Sequence, residues 1–255
     1  MALLRRQKLI IILLLFYWPA IFILAHIPVP QFVYQAQLSD KTIHYFAYLV
    51  LVFLLWFSIN PDKKANWRRA GVWWTLLVVV WYGAFDEWLQ SYVGRNTDVM
   101  DFAANVGGAL TGLILLSIFP FWPACLVITG SVIFVLTNFI QANPLNLPPV
   151  TTAALYLFSY ASFSLLWIRY MYDILPIRAP QPKWLIGALA MPTGFLLSVT
   201  LFSAVTGGGF KLRALVISAA GIAAVVVTIL VIALLRRRRT QKLSPGDSQG
   251  LLNGR

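Results

Sequence analysis

Long runs of apolar residues, separated by short polar segments, extend from the start of the chain to about residue 235. A helix that crosses a bilayer needs about 20 mainly apolar residues, so eight of these runs are predicted to be membrane-spanning helices. Proline, glycine and asparagine mark the connections between them. The pattern predicts an all-α protein, a polytopic transmembrane helical bundle of about eight spans. The eight predicted spans cover about residues 8–26, 41–60, 70–90, 100–119, 122–140, 150–169, 184–206 and 214–235.

The composition excludes a water-soluble fold. Of the 255 residues, 60% are hydrophobic and 11% are charged, whereas a typical soluble domain is about 25% charged. The net charge of +12 does not indicate nucleic-acid binding, because the basic residues cluster at the ends of predicted helices and in the tail. The single cysteine, Cys125, lies in an apolar run, so neither an intramolecular disulfide nor a thiolate metal site is expected.

The distribution of lysine and arginine predicts the orientation. If the N-terminus is cytoplasmic, all but four of the 20 basic residues fall on the inner side of the membrane. Cytoplasmic segments of membrane proteins carry such an excess. The predicted topology is therefore N-in and C-in. The four basic residues on the outer side are Lys41, Arg95, Lys211 and Arg213.

Most of the acidic residues collect at the predicted outer ends of spans two to four, and both histidines join them. With a rise of about 1.5 Å per residue, Glu87 lies about 6 Å and Asn105 about 10 Å below the outer edge of the hydrocarbon core. Ionisable groups at this depth are costly and indicate a functional site. The residues concerned are His26, Asp40, His44, Asp86, Glu87, Asp98 and Asp101.

Helical spacing places the polar residues in one stripe on each helix. Lys41, His44 and Tyr48 stand at i, i+3 and i+7, and either Asp86 or Glu87 is expected to pair with Gln90. The stripe on span four consists of Asp98, Asp101, Asn105, Gly108 and Gly112. The two glycines form a G-x-x-x-G motif, which indicates close helix packing.

The adjacent acids Asp86 and Glu87 cannot face the same direction. One of them is expected to pair with Arg95 or Lys41, and the other to be structural or solvated. Glu87 is assigned to the site because of its step with Gln90. His26 is interpreted as an interfacial residue beyond the end of its helix.

Two chemical roles suit these residues. Spans two and four begin on the outer side, so their helix N-termini, with Lys41 and Arg95, would form a cradle for a phosphate or carboxylate. Glu87 and His44 suit a general base and a general acid, and Asp101 is the third catalytic candidate. The ligand-binding candidates are Lys41, Arg95, Gln90, Asn105, Tyr48 and Asp40.

Other interpretations of these residues stay open. Asp40 and Asp98 suit helix capping as well as a site. A divalent ion held by Glu87, Asp101 and Asn105 is less favoured, because Arg95 would compete for the carboxylates. No metal and no cofactor is therefore assigned.

Taken in order, these motifs resemble the VanZ-like family of bacterial membrane proteins over about residues 8–119. The resemblance implies a four-helix membrane module, in a family named for a protein that lowers susceptibility to teicoplanin. It favours a role in the cell envelope and a location in the bacterial cytoplasmic (inner) membrane. The matching motifs are Asp40-Lys41-x-x-His44-x-x-x-Tyr48, Glu87-x-x-Gln90, Arg95, Asp101-x-x-x-Asn105 and Gly108-x-x-x-Gly112.

The predicted domains are a VanZ-like module over residues 1–120, an additional four-helix membrane region over 121–239, and a disordered cytoplasmic tail over 240–255. The additional region has no acidic residue within a span. Its polar residues, such as Ser164, are expected to form interhelical hydrogen bonds rather than a site.

Three functions remain open from the sequence, and so does the question of catalysis. The favoured one is binding or processing of an anionic, phosphate-bearing lipid or a lipid-linked glycan at the outer leaflet, with a possible effect on glycopeptide susceptibility. The second is a non-catalytic structural or scaffold protein whose ion pairs lock the helices. The third is a transporter or flippase, which usually has polar groups near the midplane. Membrane lipids are the expected partners, and the sequence identifies no protein partner.

Overall fold

The computed structural model describes residues 5–26, 40–61, 63–93, 98–142, 148–206 and 209–243. Within these ranges the protein has eight α-helices, one 3-10 turn at Ser91–Val93 and no strand, which confirms the predicted all-α membrane bundle. The helices are α1 (Arg5–His26), α2 (Asp40–Ile59), α3 (Ala70–Gln90), α4 (Val99–Ile118), α5 (Phe121–Ala142), α6 (Pro149–Ile174), α7 (Pro182–Val205) and α8 (Leu212–Leu243).

Seven of the eight described helices are long and apolar enough to cross a membrane, whereas eight spans were predicted. Helix α3 is the exception. Its 21 residues rise about 31 Å, which is sufficient in length. Its mean hydropathy is lower because it contains four tryptophans and the Asp86–Glu87 pair.

The chain divides into two compact units, Met1–Asn146 and Leu147–Arg255. Helix α5 therefore belongs to the first unit, where it contacts α2 and α4, although the sequence analysis placed the end of the first module at residue 120. Aromatic contacts explain the difference, because the Phe121 ring lies 4.9 Å from the Phe57 ring and 5.9 Å from the Phe53 ring. The Arg6 guanidinium also lies 5.0 Å from the centroid of the Phe121 ring.

The contact between α2 and α4 is the core of the first unit. Helix α2 is its most buried helix, with Leu51, Val52 and Phe57 inaccessible to solvent. A Cβ atom added at Gly108 would overlap the backbone carbonyl of Tyr45, and one added at Gly112 would overlap the side chain of Val52. The G-x-x-x-G motif thus sets the close approach of these two helices.

The two ends of the first unit differ in chemistry. At one end the connection between α2 and α3 carries basic residues, and Lys64 Nζ donates to the carbonyl oxygen of Ile118 at the end of α4. Gln7, at the start of α1, donates to the carbonyl oxygen of Ser58 at this same end. The acidic residues and the histidines lie at the opposite end, where α1 and α3 finish and α2 and α4 begin.

The second unit consists of α6, α7 and α8, which contact one another pairwise. Helices α6 and α8 approach closely, because a Cβ added at Gly221 would meet the Leu157 carbonyl. Ser164 donates to the Tyr160 carbonyl of its own helix rather than making the expected interhelical bond. Helix α8 continues to Leu243, past the predicted start of the tail at residue 240, and residues 244–255 lie outside the described residues.

Candidate functional site

The centre of the candidate site is His44, one turn into α2. Its Nδ1 atom lies 3.0 Å from Asn105 Oδ1 on α4 and 3.7 Å from Glu87 Oε1 on α3. An amide oxygen only accepts hydrogen bonds, so Nδ1 carries the proton of the neutral imidazole and donates it to Asn105. The structure thus brings together the three residues that the sequence placed at one depth.

Glu87 is the most unusual group in the site. The residue is 7% exposed, and neither carboxylate oxygen has a hydrogen-bond partner among the described residues. Burying a carboxylate without compensation is strongly unfavourable. The imidazole of His44 is its near partner, at 3.7 Å, and this pair is therefore the candidate for proton transfer.

Asp86 belongs to a neighbouring contact. Its Oδ1 lies 3.8 Å from His26 Nδ1, and its Oδ2 accepts a bond of 3.4 Å from Gln90 Nε2. Gln90 therefore hydrogen-bonds to Asp86, which lies four residues before it on the same face of the helix. The i, i+4 spacing of Asp86 and Gln90 in the sequence is the signal for this contact.

His26 was interpreted as an interfacial residue beyond the end of its helix, but it is the last residue of α1. Its side chain is 12% exposed and faces Asp86, because α1 packs along α3. Its Nδ1 donates to the Phe22 carbonyl oxygen at 2.8 Å, so the neutral ring carries its proton there. No spacing within one helix indicates this contact, since it depends on the packing of two helices.

Lys41 and Asp98 connect α2 to the start of α4 at the solvent-exposed rim of the cluster. Lys41 Nζ lies 2.7 Å from Asp98 Oδ2 and 3.5 Å from Asp101 Oδ1. Asp98 is also the N-cap of α4, because its Oδ1 accepts a 2.8 Å bond from the Met100 amide. The capping interpretation of Asp98 is therefore confirmed, and the hydrogen bond from Lys41 lowers the pKa of its carboxyl group.

Asp40 and Tyr48 complete the stripe on α2. Asp40 Oδ1 lies 3.8 Å from His44 Nε2, on the opposite edge of the imidazole from Glu87. Tyr48 packs where α2 meets α3, because Gly83 leaves room for its ring, and its hydroxyl has no hydrogen-bond partner among the described residues. Arg95 lies outside the described residues.

The described residues make this cluster acidic. Five carboxyl groups face one lysine and two histidines, and the lysine is already bound by two of the carboxylates. The arrangement suits proton transfer or the binding of a cation. Two sets of side chains have ligand atoms within 4.8 Å of one another, namely Asp40, His44 and Asp101, and His44, Asp86 and Glu87.

These features define a polytopic helical membrane protein with a buried acid–histidine cluster at one end of its first unit. The model of the VanZ/LLP1 family matches residues 6–120, which confirms the resemblance carried by the polar motifs. The match covers α1 to α4 and hence every residue of the cluster, and we call this part the VanZ-like region. No curated protein and no solved structure matches the chain significantly.

Proposed function

We propose that the VanZ-like region binds an anionic lipid or a lipid-linked glycan at the outer leaflet of the bacterial cytoplasmic membrane and processes its polar headgroup. One observation carries the proposal: the buried Glu87 carboxylate has no hydrogen-bond partner in the described part of the chain and lies 3.7 Å from His44 Nδ1. A carboxylate beside an imidazole is suited to general acid–base chemistry. A role in the cell envelope, and any effect on glycopeptide susceptibility, follow from this proposal.

The position of the cluster supports access from the membrane surface. It lies at the end of the first unit opposite the basic connection between α2 and α3. Basic segments favour the cytoplasmic side, so the cluster faces outward in the proposed orientation. Lys41 and Asp98 keep about two fifths of their side-chain surface exposed, and they form the rim that a headgroup would meet first.

The proposed roles follow from burial. Glu87 is the proposed general base and His44 the proposed general acid; because the Nδ1 proton of His44 is bound to Asn105, the ring must first take up a second proton at Nε2 and then donate it to the leaving atom. Asp101, buried beside Lys41, positions the ammonium toward a bound phosphate. The outward-facing N-termini of α2 and α4 add partial positive charge for the same phosphate.

Mass spectrometry of co-purifying lipids tests the proposal. Wild type, Arg95→Ala and Glu87→Gln would be extracted in native-like discs and checked for equal thermal stability. We expect a phosphate-bearing lipid enriched on wild type, lost from Arg95→Ala, and retained in unprocessed form on Glu87→Gln. Arg213→Ala, another predicted outer-side arginine but outside the VanZ-like region, serves as the matched control and should retain the wild-type lipid profile. Indistinguishable profiles for all four proteins would refute the proposal.

A structural role is the second candidate, because two of the polar contacts join α2 to α4. These contacts are the Lys41–Asp98 ion pair and the His44–Asn105 hydrogen bond. An exchange of the charges in the ion pair, Lys41→Asp with Asp98→Lys, separates the two functions. Relative to Asp98→Lys alone, which also lacks the N-cap, the exchange restores both stability and cellular function if the cluster only locks helices. If it binds a headgroup, stability returns while lipid retention does not.

A further inference from the structure

We propose that Asp40, His44 and Asp101 bind a divalent first-row transition-metal ion, with Zn²⁺ as the reference ion. One ligand atom from each of the three side chains lies within 4.8 Å of the others. Metal ligands at about 2.0–2.2 Å from an ion are separated from one another by about 3–4 Å. Small side-chain rotations would therefore bring the three ligand atoms to the distances that a bound ion requires. The proposal concerns an ion and does not depend on the identity of any lipid.

The protonation of His44 selects the nitrogen that would face the ion. Because Nδ1 donates to Asn105 Oδ1 at 3.0 Å, Nε2 of the neutral ring keeps its lone pair. That atom lies 3.8 Å from Asp40 Oδ1. A ligating histidine usually donates its other N–H to an amide or carboxylate oxygen, which fixes the ring and strengthens its basicity. Asn105 Oδ1 accepts this bond from His44 Nδ1, and the Glu87 carboxylate lies 3.7 Å from the same nitrogen.

The burial of Asp101 is an independent observation that indicates a ligand. The residue is 5% exposed, and its Oδ1 makes no close hydrogen bond to a described residue; the Lys41 ammonium lies 3.5 Å away and is nearer to Asp98. A buried carboxylate oxygen without a hydrogen bond is costly, and a coordinated cation would offset that cost. The set of one imidazole nitrogen and two carboxylate oxygens suits Zn²⁺, Mn²⁺ or Fe²⁺ better than Ca²⁺ or Mg²⁺, which prefer oxygen ligands alone.

The neighbouring set of His44, Asp86 and Glu87 is less suited to an ion. Asp86 already contacts Gln90 and His26, and an ion on His44 Nδ1 would displace the hydrogen bond to Asn105. Lys41 competes with the ion in the favoured set, because its ammonium lies 3.5 Å from Asp101 Oδ1. It is closer to Asp98, at 2.7 Å, so it can stay on Asp98 while Asp101 turns to the ion.

The test uses full-length protein without a histidine tag, in discs of zwitterionic lipid, after removal of metals with a chelator. Zn²⁺ binding is measured by calorimetry, and Co²⁺ binding by the visible absorption that a nitrogen ligand changes. We expect one ion per wild-type chain. Asp101→Asn should weaken Zn²⁺ binding at least tenfold, and Lys41→Gln should strengthen it severalfold because a competing charge is removed.

Asp86→Asn is the matched control, since it neutralises an acid that is equally buried but belongs to the other set. It should change Zn²⁺ affinity less than twofold. The proposal is overturned if wild type binds no more Zn²⁺ than Asp101→Asn, if Lys41→Gln does not bind more tightly, or if Asp86→Asn weakens binding as much as Asp101→Asn. These discs contain no anionic lipid, so failure to bind Zn²⁺ would overturn the metal site alone. The proposed lipid binding is tested separately by the mass spectrometry of co-purifying lipids.

Discussion

His44 Nδ1 on α2 and Asn105 Oδ1 on α4 are 3.0 Å apart, and both residues are buried. The bond links the two helices that form the core of the first unit, and it fixes the edge of the imidazole that faces Asp40. One amide therefore contributes both to helix packing and to the chemistry of the histidine.

A double-mutant cycle between His44 and Asn105 should reveal this coupling. Hydrogen bonds between membrane helices are typically worth about 0.6 kcal/mol and at most about 2 kcal/mol. We expect His44→Ala and Asn105→Ala to lower the free energy of unfolding, with a coupling energy of about 1 kcal/mol between them. Reversible unfolding in detergent micelles measures each term.

Thr75 supplies the control for that cycle. Its hydroxyl donates to the Gly71 carbonyl of its own helix, near the opposite end of α3. Thr75→Ala should show no coupling to His44→Ala beyond experimental error. A coupling energy near zero for Asn105 would mean that the short distance contributes nothing to stability.

Substitution of Gly108 should disrupt the contact between α2 and α4. An alanine methyl group there would overlap the Tyr45 carbonyl, which is backbone and cannot rotate away. Overpacking of this kind costs about 1–3 kcal/mol, so Gly108→Ala should lower the melting temperature in micelles.

The adjacent Gly107 offers a matched comparison. An added Cβ there lies 3.7 Å from the nearest atom of the Tyr45 ring, an ordinary contact distance. Gly107→Ala should therefore be neutral or slightly stabilising, because alanine favours helices over glycine by about 1 kcal/mol. Equal melting temperatures for the two variants would contradict the assigned packing.

The sequence predicted the helices well because length and hydropathy are local properties of each segment. It also predicted that His44, Glu87 and Asn105 share one depth, since depth follows from the rise of a helix. It could not predict that His26 faces Asp86, because that contact depends on how α1 packs against α3. Spacing along one helix carries no information about the side on which another helix lies.

The packing of α5 could not be predicted from the sequence, for a similar reason. Pro120 ends a helix, and a proline turn resembles a boundary whether or not the next helix returns to the same core. The contact of Phe121 with Phe53 and Phe57 decides that α5 belongs to the first unit. These residues are more than 60 positions apart along the chain, so no local pattern reveals the contact.

Removal of the Phe121 ring should destabilise the first unit. Phe→Ala in a soluble core costs about 3–5 kcal/mol, and we expect about 1–3 kcal/mol here, because lipid replaces part of the lost contact. The melting temperature of Phe121→Ala in micelles checks this expectation. Phe158→Ala, at a ring that is 67% exposed, is the control and should melt close to wild type. If both variants melted at the wild-type temperature, α5 would not be part of the first core.

Stability should fall at acidic pH through the carboxyl group of Asp98. Its pKa in the folded protein is lowered chiefly by the hydrogen bond from Lys41, and also by the Met100 amide. A lowered folded pKa means that the ionised group stabilises the fold above its unfolded pKa of about 3.9. That contribution is lost as the pH falls through the folded value. The melting temperature of wild type should therefore decline below about pH 4.

The lysine provides the diagnostic for that decline. In Lys41→Met the main cause of the lowered Asp98 pKa is absent, so the difference in melting temperature between wild type and this variant should shrink as the pH falls from 7 to 3. Asp98→Asn removes the charge of this residue but keeps an oxygen that can cap the Met100 amide. In this background, the change in melting temperature caused by Lys41→Met should depend much less on pH. A difference that stayed constant down to pH 3 would show that the Lys41–Asp98 bond adds no stability in solution, despite its length of 2.7 Å.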